Sequence, residues 1–316
     1  MWGERLVVCI KKAFPMAWKT SLWFLKIMLP VSFLVMLLSY FQILPYLSAF
    51  ADPIFVLLGL PGNAALVFVT SIFTNIYTVI ALMSGLEFTV REGIILSVMC
   101  LISHNYLLET IVQKKTGSSA WVMVILRFVC SFVAAICLNV ILPDFSSKTI
   151  SQPVVAYTLG DTLLNWCMQS LMLVLKVVSI ITLLMIVQRL LEEFGILRRL
   201  SVWFAPLMLC MGLPRQVSFL WLVGNTLGLA YGSAVILDYA QQGKMSIKEA
   251  DLLNYHLAIS HSQLEDPLLF SILGLPVIWL LFPRLVLAVI VVWLKRGYDL
   301  FFMKSGNKPI IKSVIE

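Results

Sequence analysis

Three stretches of the chain run without a charged residue, Ile27 to Ala51, Pro53 to Leu86 and Gln216 to Leu237. Each exceeds the roughly 18 apolar residues that carry a helix across a bilayer. The apolar pattern is interrupted at two matching tripeptides, Gly59-Leu60-Pro61 and Gly212-Leu213-Pro214. Proline removes a backbone donor and glycine weakens a helix, so the pattern predicts a break at each. The predicted elements are a long helix (about 18 to 43), a broken apolar segment, a helix carrying Ser103-His104 and Glu109, and a last helix (about 119 to 142). The same series then recurs: a helix (about 162 to 194), a broken segment, a helix with Ser260-His261 and Asp266, and a last helix (about 271 to 294). The first apolar run is too long and too far from the N-terminus for a cleaved signal and is expected to stay as a span.

The recurrence is visible residue by residue. A shift of about 150 lays Leu25-Lys26-Ile27 on Leu175-Lys176-Val177, and three more residues align Leu47-Ser48 with Leu200-Ser201, Pro53 with Pro206 and the two Gly-Leu-Pro motifs. After a four-residue insertion at Gln241 to Lys244, Ile102-Ser103-His104 falls on Ile259-Ser260-His261, Glu109 on Asp266 and Arg127 on Arg284. A nearly constant offset that recovers lysine, Gly-Leu-Pro, Ser-His, acid and arginine in order predicts a duplicated transmembrane unit, as in many transporters.

Charge then selects a topology. With the N-terminus (Lys11, Lys12, Lys19) cytoplasmic and each broken segment a hairpin returning to its starting side, Lys114-Lys115, Arg198-Arg199, Lys244, Lys248 and Lys295-Arg296 all fall inside. The connection holding only Asp144 and Lys148 falls outside, as the positive-inside tendency prefers. The expected fold is an all-α integral membrane protein of two inverted repeats. Each has three spanning helices and one broken, re-entrant hairpin, 53 to 84 and 206 to 240. An odd number of crossings per half inverts the second. Gly62 to Ser84 is nonetheless long enough for a full crossing. The expected divisions are a cytoplasmic N-terminal segment 1–17, a first repeat 18–142, a connecting loop 143–161, a second repeat 162–296 and a basic tail 297–316.

Composition agrees with this class. Hydrophobic residues make up 60% of the 316 and charged residues 12%, which a soluble core cannot accommodate. The net charge of +7 sits at the edges of apolar runs, which points to membrane orientation and away from nucleic acid. The six cysteines form no Cys-x-x-Cys pair and read as single buried thiols. No P-loop, Gly-x-Ser-x-Gly, His-Glu-x-x-His or Rossmann fingerprint occurs, so neither an enzyme activity nor a cofactor nor a resident metal is expected.

Candidate chemistry lies where backbone or charge is costly in lipid. Non-helical backbone at membrane depth must be buried or line a wet cavity, so Gly59, Pro61, Gly212 and Pro214 are candidate solute-binding positions. Asn63, Thr70 and Asn75 in the first copy, with Gln216 and Asn225 in the second, extend that set. Their plainer role is hydrogen bonding between helices. His104, Glu109, His261, Glu265 and Asp266 are candidates for ion or proton coupling, because ionisable groups inside spans mark solute paths and relays. His104 and Glu109 stand five apart, about 140° around an uninterrupted helix, and need not touch. The plainer reading of the acids is a helix end in water. Lys26, Lys176, Arg127 and Arg284 are read as snorkelling or pairing with these acids.

The segments Gly59-Leu60-Pro61-Gly62-Asn63 and Gly212-Leu213-Pro214-Arg215-Gln216, each followed by small and polar residues, resemble the Gate or nucleoside-recognition domain family. That family includes parts of concentrative nucleoside transporters, the membrane domain of bacterial ferrous-iron transporters and spore maturation membrane proteins. The resemblance covers roughly residues 20 to 290 and implies hairpins that hold a solute near the bilayer midplane. It implies no GTP control, because the GTPase domain of the iron transporters is lacking. The expected function is a multi-pass secondary transporter of the cytoplasmic (inner) membrane with both termini cytoplasmic. Its partners are a small polar, nucleoside-like solute, a coupling ion (sodium or proton) and the lipid bilayer, with homo-oligomers compatible. The alternatives are a non-transporting subunit or scaffold of spore-maturation type and a divalent metal ion permease.

Overall fold

The structure, a computed structural model, describes residues 2–41, 43, 46, 49, 52–143, 158–242 and 244–302. Leu47, Ser48, Asp144, Lys148 and residues 303–316 of the tail lie outside these. The described elements are helices: α1 (Trp2–Tyr40), α2 (Asp52–Leu57), α3 (Ala64–Phe73), α4 (Ile76–Gly85), α5 (Val90–Ser103), α6 (Tyr106–Lys115) and α7 (Ala120–Ile141). They continue as α8 (Leu159–Glu193), α9 (Ile196–Cys210), α10 (Ser218–Thr226), α11 (Gly228–Gln241), α12 (Ile247–Ser260), α13 (Glu265–Phe270) and α14 (Val277–Phe302). Among the described residues, α7, α8 and α14 are long and apolar enough to cross a membrane, and α5 with α6, bent by 43°, adds a fourth crossing if taken as one. Their outer faces are apolar and open, with Trp121 78% and Val140 81% exposed, which in water would leave a belt of unburied hydrocarbon. Lipid is the medium that removes that cost.

The chain breaks where its sequence was expected to, and at further places. Gly59 and Gly212 both take left-handed backbone (φ 72 and 75). A Cβ on Gly59 would stand 2.1 Å from the Asn139 side-chain oxygen, so only glycine fits there. A second turn follows each. In the first half α3 ends at Thr74 and α4 restarts at Asn75, whose Oδ1 accepts from the amides of Tyr77 and Thr78 at 3.2 Å each. That side chain supplies the N-cap that a restarted helix needs. α4 then runs beside α5, with Met83 Sδ 3.7 Å from Ser97 Oγ. In the second half α10 and α11 are joined at Leu227-Gly228 and lie against one another. Phe219 stacks on Tyr239 with centroids 5.9 Å apart, and a Cβ on Gly232 would stand 3.1 Å from the Gly224 Cα.

α5 and α12 are the central helices. Both start with a capping box, Thr89 with Glu92 and Ser246 with Glu249. Both are 14 residues long, and both end at a histidine, His104 and His261. α5 is buried without interruption from Gly93 to Ser103, as expected of a helix surrounded by others. Beyond the histidines the backbone turns left-handed at Asn105 (φ 54) and Ser262 (φ 51). The amides freed there are not orphaned: Asn105 donates to Ser71 and Thr74 carbonyls (3.0 and 2.9 Å), Ser262 to Gly224 (3.0 Å) and Leu264 to Asn225 (3.0 Å). In each half the second turn is thus laced to the break after the histidine.

α1 corrects the expected start at residue 18. It begins at Trp2 and runs through Pro15 and Pro30. Cys9, Ala13 and Ala17 recur every four residues and are buried, a stripe of small side chains that lets α1 pack along α8. Arg5 pairs with Glu193 at 2.8 Å and Trp166 donates to Ser32 at 3.1 Å, so the two helices run antiparallel. The last helix of the second half begins at Val277, after a 3₁₀ turn at Ser271–Leu273, and not at 271.

Candidate functional site: a buried His–Glu–His centre

The ends of α5 and α12 meet in the interior. His104 Nδ1 lies 3.2 Å from the Cys100 carbonyl and His261 Nδ1 2.9 Å from the Leu257 carbonyl, one helical turn back in each case. A carbonyl only accepts, so Nδ1 carries the proton in both rings and Nε2 is left to face inward. The two Nε2 atoms stand 3.4 Å apart, with ring centroids 5.0 Å apart. Glu109 Oε1 is 3.2 Å from each, and Asp266 Oδ2 is 4.0 Å from His104 Nε2. All four side chains are buried. Three lone-pair-bearing atoms this close repel unless a cation sits among them, a proton or a metal ion, because no bulk water screens them.

Two buried arginines hold the framework. Arg127 donates from Nε to Ile102 O (2.7 Å) and from Nη2 to His104 O (2.5 Å), and Nη2 also lies 2.9 Å from Glu109 Oε2. Arg284 makes the matching bonds to Ile259 O (3.0 Å) and His261 O (2.7 Å). Each guanidinium therefore caps the carbonyl end of a broken helix, where the helix dipole is negative. Arg127 also lies over the Tyr106 ring, 4.7 Å from its centroid. Lys26 and Lys176, by contrast, are exposed.

Glu265 sits between the two turns. Its Oε1 accepts from Tyr77 Oη at 3.0 Å, and its Oε2 from Gln188 Nε2 at 3.3 Å, while Gln188 also donates to Thr226 O at 3.2 Å. Of the candidate solute-binding residues, Asn75 caps α4 at one turn and buried Asn225 donates to Trp221 O at 2.9 Å beside the other. Thr70 receives the Thr74 hydroxyl on its carbonyl at 2.7 Å. The rest stand elsewhere. Gly59, Pro61 and Asn63 lie towards the C-terminal end of α7, where Arg91 bonds Asn139 (2.8 Å), about 18 Å along that helix from Arg127. Gly212 accepts from Arg296 at 3.1 Å at the far end of α14, and Gln216 is exposed. Pro214, half-buried, opens the 3₁₀ turn that follows.

The sequence marked the histidines and acids but missed two contributors. Tyr77 offered no signal among many aromatic residues, whereas Gln188, the amide that ends the uncharged run Val177 to Val187, was detectable. The helical-wheel separation of His104 and Glu109 fails because the helix breaks between them, at His104-Asn105.

Comparison with known proteins places the chain among membrane proteins. The sequence profile of the Gate family, described as nucleoside recognition, matches residues 21–142. The chain is 31% identical over 270 residues to the uncharacterized membrane protein YvoD of Bacillus subtilis (strain 168), a match covering 84% of this chain and 86% of that one. No solved structure matches. The chain belongs to the Gate, or nucleoside-recognition, family of membrane proteins.

Proposed function

We propose that this protein is a secondary transporter that moves a small polar, nucleoside-like solute across the cytoplasmic membrane by alternating access around two opposed hairpins. The hairpins are α3–α4 and α10–α11, and a cation held at His104, Glu109 and His261 couples the movement. The observation that carries the reading is the buried centre itself, since a lone-pair cluster of this kind at the meeting point of four chain breaks has no packing purpose. Its occlusion fits one state of an alternating-access cycle.

Contacts support the inverted relation of repeats 18–142 and 162–296. Ser118 Oγ lies 2.6 Å from Asp251 Oδ1, and Asn254 Nδ2 2.8 Å from Thr116 Oγ1, so α6 ends beside the start of α12. Lys295 pairs with Asp251 at 3.4 Å, and the neighbouring Arg296 with Gly212, which puts the entry of the second hairpin on that face. The entry of the first, Gly59 beside Asn139 and Arg91, lies at the opposite end of α5 and α7. Lys114, Lys115, Lys248, Lys295 and Arg296 gather on one face, which the positive-inside tendency makes cytoplasmic. Six crossings result, formed by α1, α5–α6, α7, α8, α12–α13 and α14.

The test is uptake into proteoliposomes under imposed sodium or proton gradients, with a panel of nucleosides. Saturable accumulation is expected, lost in Glu109→Gln and Asp266→Asn, which remove the negative charge that holds the cation. Absence of saturable uptake for every solute favours the second reading, a non-transporting membrane subunit. That reading is supported by the direct Tyr77–Glu265 bond, which uses tip polarity internally.

A further inference from the structure

The cation for which this centre is shaped can be read from its donor atoms. His104 Nε2, His261 Nε2 and Glu109 Oε1 form a triangle with edges of 3.4, 3.2 and 3.2 Å. Donors at zinc-like bond lengths of about 2.0–2.1 Å stand about 3.3–3.4 Å apart at the corners of a tetrahedron. The corresponding edge of an octahedral magnesium site is shorter, about 2.9 Å. Imidazole nitrogens are also ligands for first-row transition metals, whereas magnesium and calcium take oxygen.

A fourth donor is within reach. Asp266 Oδ2 is buried and has no hydrogen-bond donor among the described residues, and ligand atoms of His104, His261 and Asp266 all lie within 4.8 Å of one another. The surrounding contacts are those that orient ligands in metal sites: each Nδ1 faces a backbone carbonyl, and Glu109 Oε2 is held by Arg127, which leaves Oε1 free. Arg127 pairs with Glu109 Oε2 at 2.9 Å while Arg284 is turned to the carbonyl end of α12, so the Asp266 carboxylate, with no hydrogen-bond partner at Oδ2 among the described residues, supplies negative charge for a cation.

We propose that His104, His261 and Glu109, with Asp266 as the fourth ligand, bind a single divalent first-row transition metal ion in tetrahedral geometry. Zinc(II), iron(II) and cobalt(II) are the class of ligand. This deepens the reading of the centre as a cation site and rests on it, but not on any solute being moved.

The test is a titration of the purified full-length chain, free of any histidine tag, with cobalt(II) chloride. Tetrahedral cobalt(II) absorbs visible light far more strongly than octahedral. The chain has three histidines, and the third, His256, accepts from Trp221 Nε1 at 3.2 Å and serves as the control. A saturable visible band of one ion per chain is expected, displaced by zinc chloride but not by magnesium or calcium chloride. His104→Gln and His261→Gln are each expected to weaken it by at least roughly 10- to 100-fold, and His256→Gln to leave it unchanged. No band, or a band that survives both imidazole variants, overturns the proposal. Should an imidazole variant fail to fold, Asp266→Asn keeps both rings and must shift and weaken the band, and an unchanged band removes Asp266 from the site. A band without nucleoside uptake leaves the metal site standing and the transporter reading fallen, and uptake without a band does the reverse.

Discussion

At the scale of single residues, the arginines are the largest commitment. A buried guanidinium in lipid is costly, and Arg127 and Arg284 persist because backbone carbonyls at two helix ends accept from them. Arg127→Gln leaves those carbonyls and Glu109 without a cation, and is expected to cost about 3–5 kcal/mol, the scale of a broken buried pair. Lys26→Gln, at an exposed position, should stay within about 0.5 kcal/mol. Chemical denaturation in detergent checks both, and equal losses would remove the structural role assigned to Arg127. The sequence matched the two arginines across the halves and read them as pairing with acids, which holds for Arg127 and Glu109, but their other partners are carbonyls, which every residue carries and no pattern singles out. The His104–Glu109 contact was hidden for a related reason: its 3.2 Å depends on the chain bending at Asn105, and nothing in Ser-His-Asn announces that.

At the scale of elements, glycine and proline told half of the story. Gly-Leu-Pro was legible as a break because its backbone needs are local, yet the breaks it predicts stand away from the centre, beside Asn139 and Arg296. The turns nearest the centre are at Thr74-Asn75 and Leu227-Gly228, the first built by an asparagine cap with no glycine or proline. Asn75→Ala is therefore expected to cost about 1 kcal/mol and to impair uptake, where a merely solvated asparagine would change neither. The α10–α11 hairpin rests on glycine against glycine. Gly232→Leu should wedge it apart at about 1–3 kcal/mol, while Gly160→Ala, whose added carbon meets nothing nearer than 3.8 Å, should be close to neutral. Thermal unfolding of the three variants compares them directly. The early start of α1 was obscured by Lys11, Lys12 and Lys19, which read as the end of a membrane segment although the buried Cys9, Ala13 and Ala17 continue the helix along α8.

At the scale of the whole molecule, the expected repeat rests on landmarks kept in order along the sequence, and one pair of contacts recurs at the same spacing: Arg127 to His104 and Arg284 to His261. The way the halves interlock was not readable, since it rests on pairs such as Ser118 with Asp251 that lie far apart in sequence. The proposed orientation predicts that, with the six native cysteines replaced, Lys248→Cys reacts with a membrane-impermeant thiol reagent from the cytoplasmic side and Glu87→Cys from the other. Reaction of both from one side would break the topology. The central claim is that the turns around the His–Glu–His centre open alternately to the two faces. It is tested most directly by Thr74→Cys and Thr226→Cys in the same background, probed from each face with and without metal and solute. The account predicts that each cysteine is reached from both faces, with the balance shifted when ligand binds. Labelling from one face alone, or from neither under any condition, would contradict it.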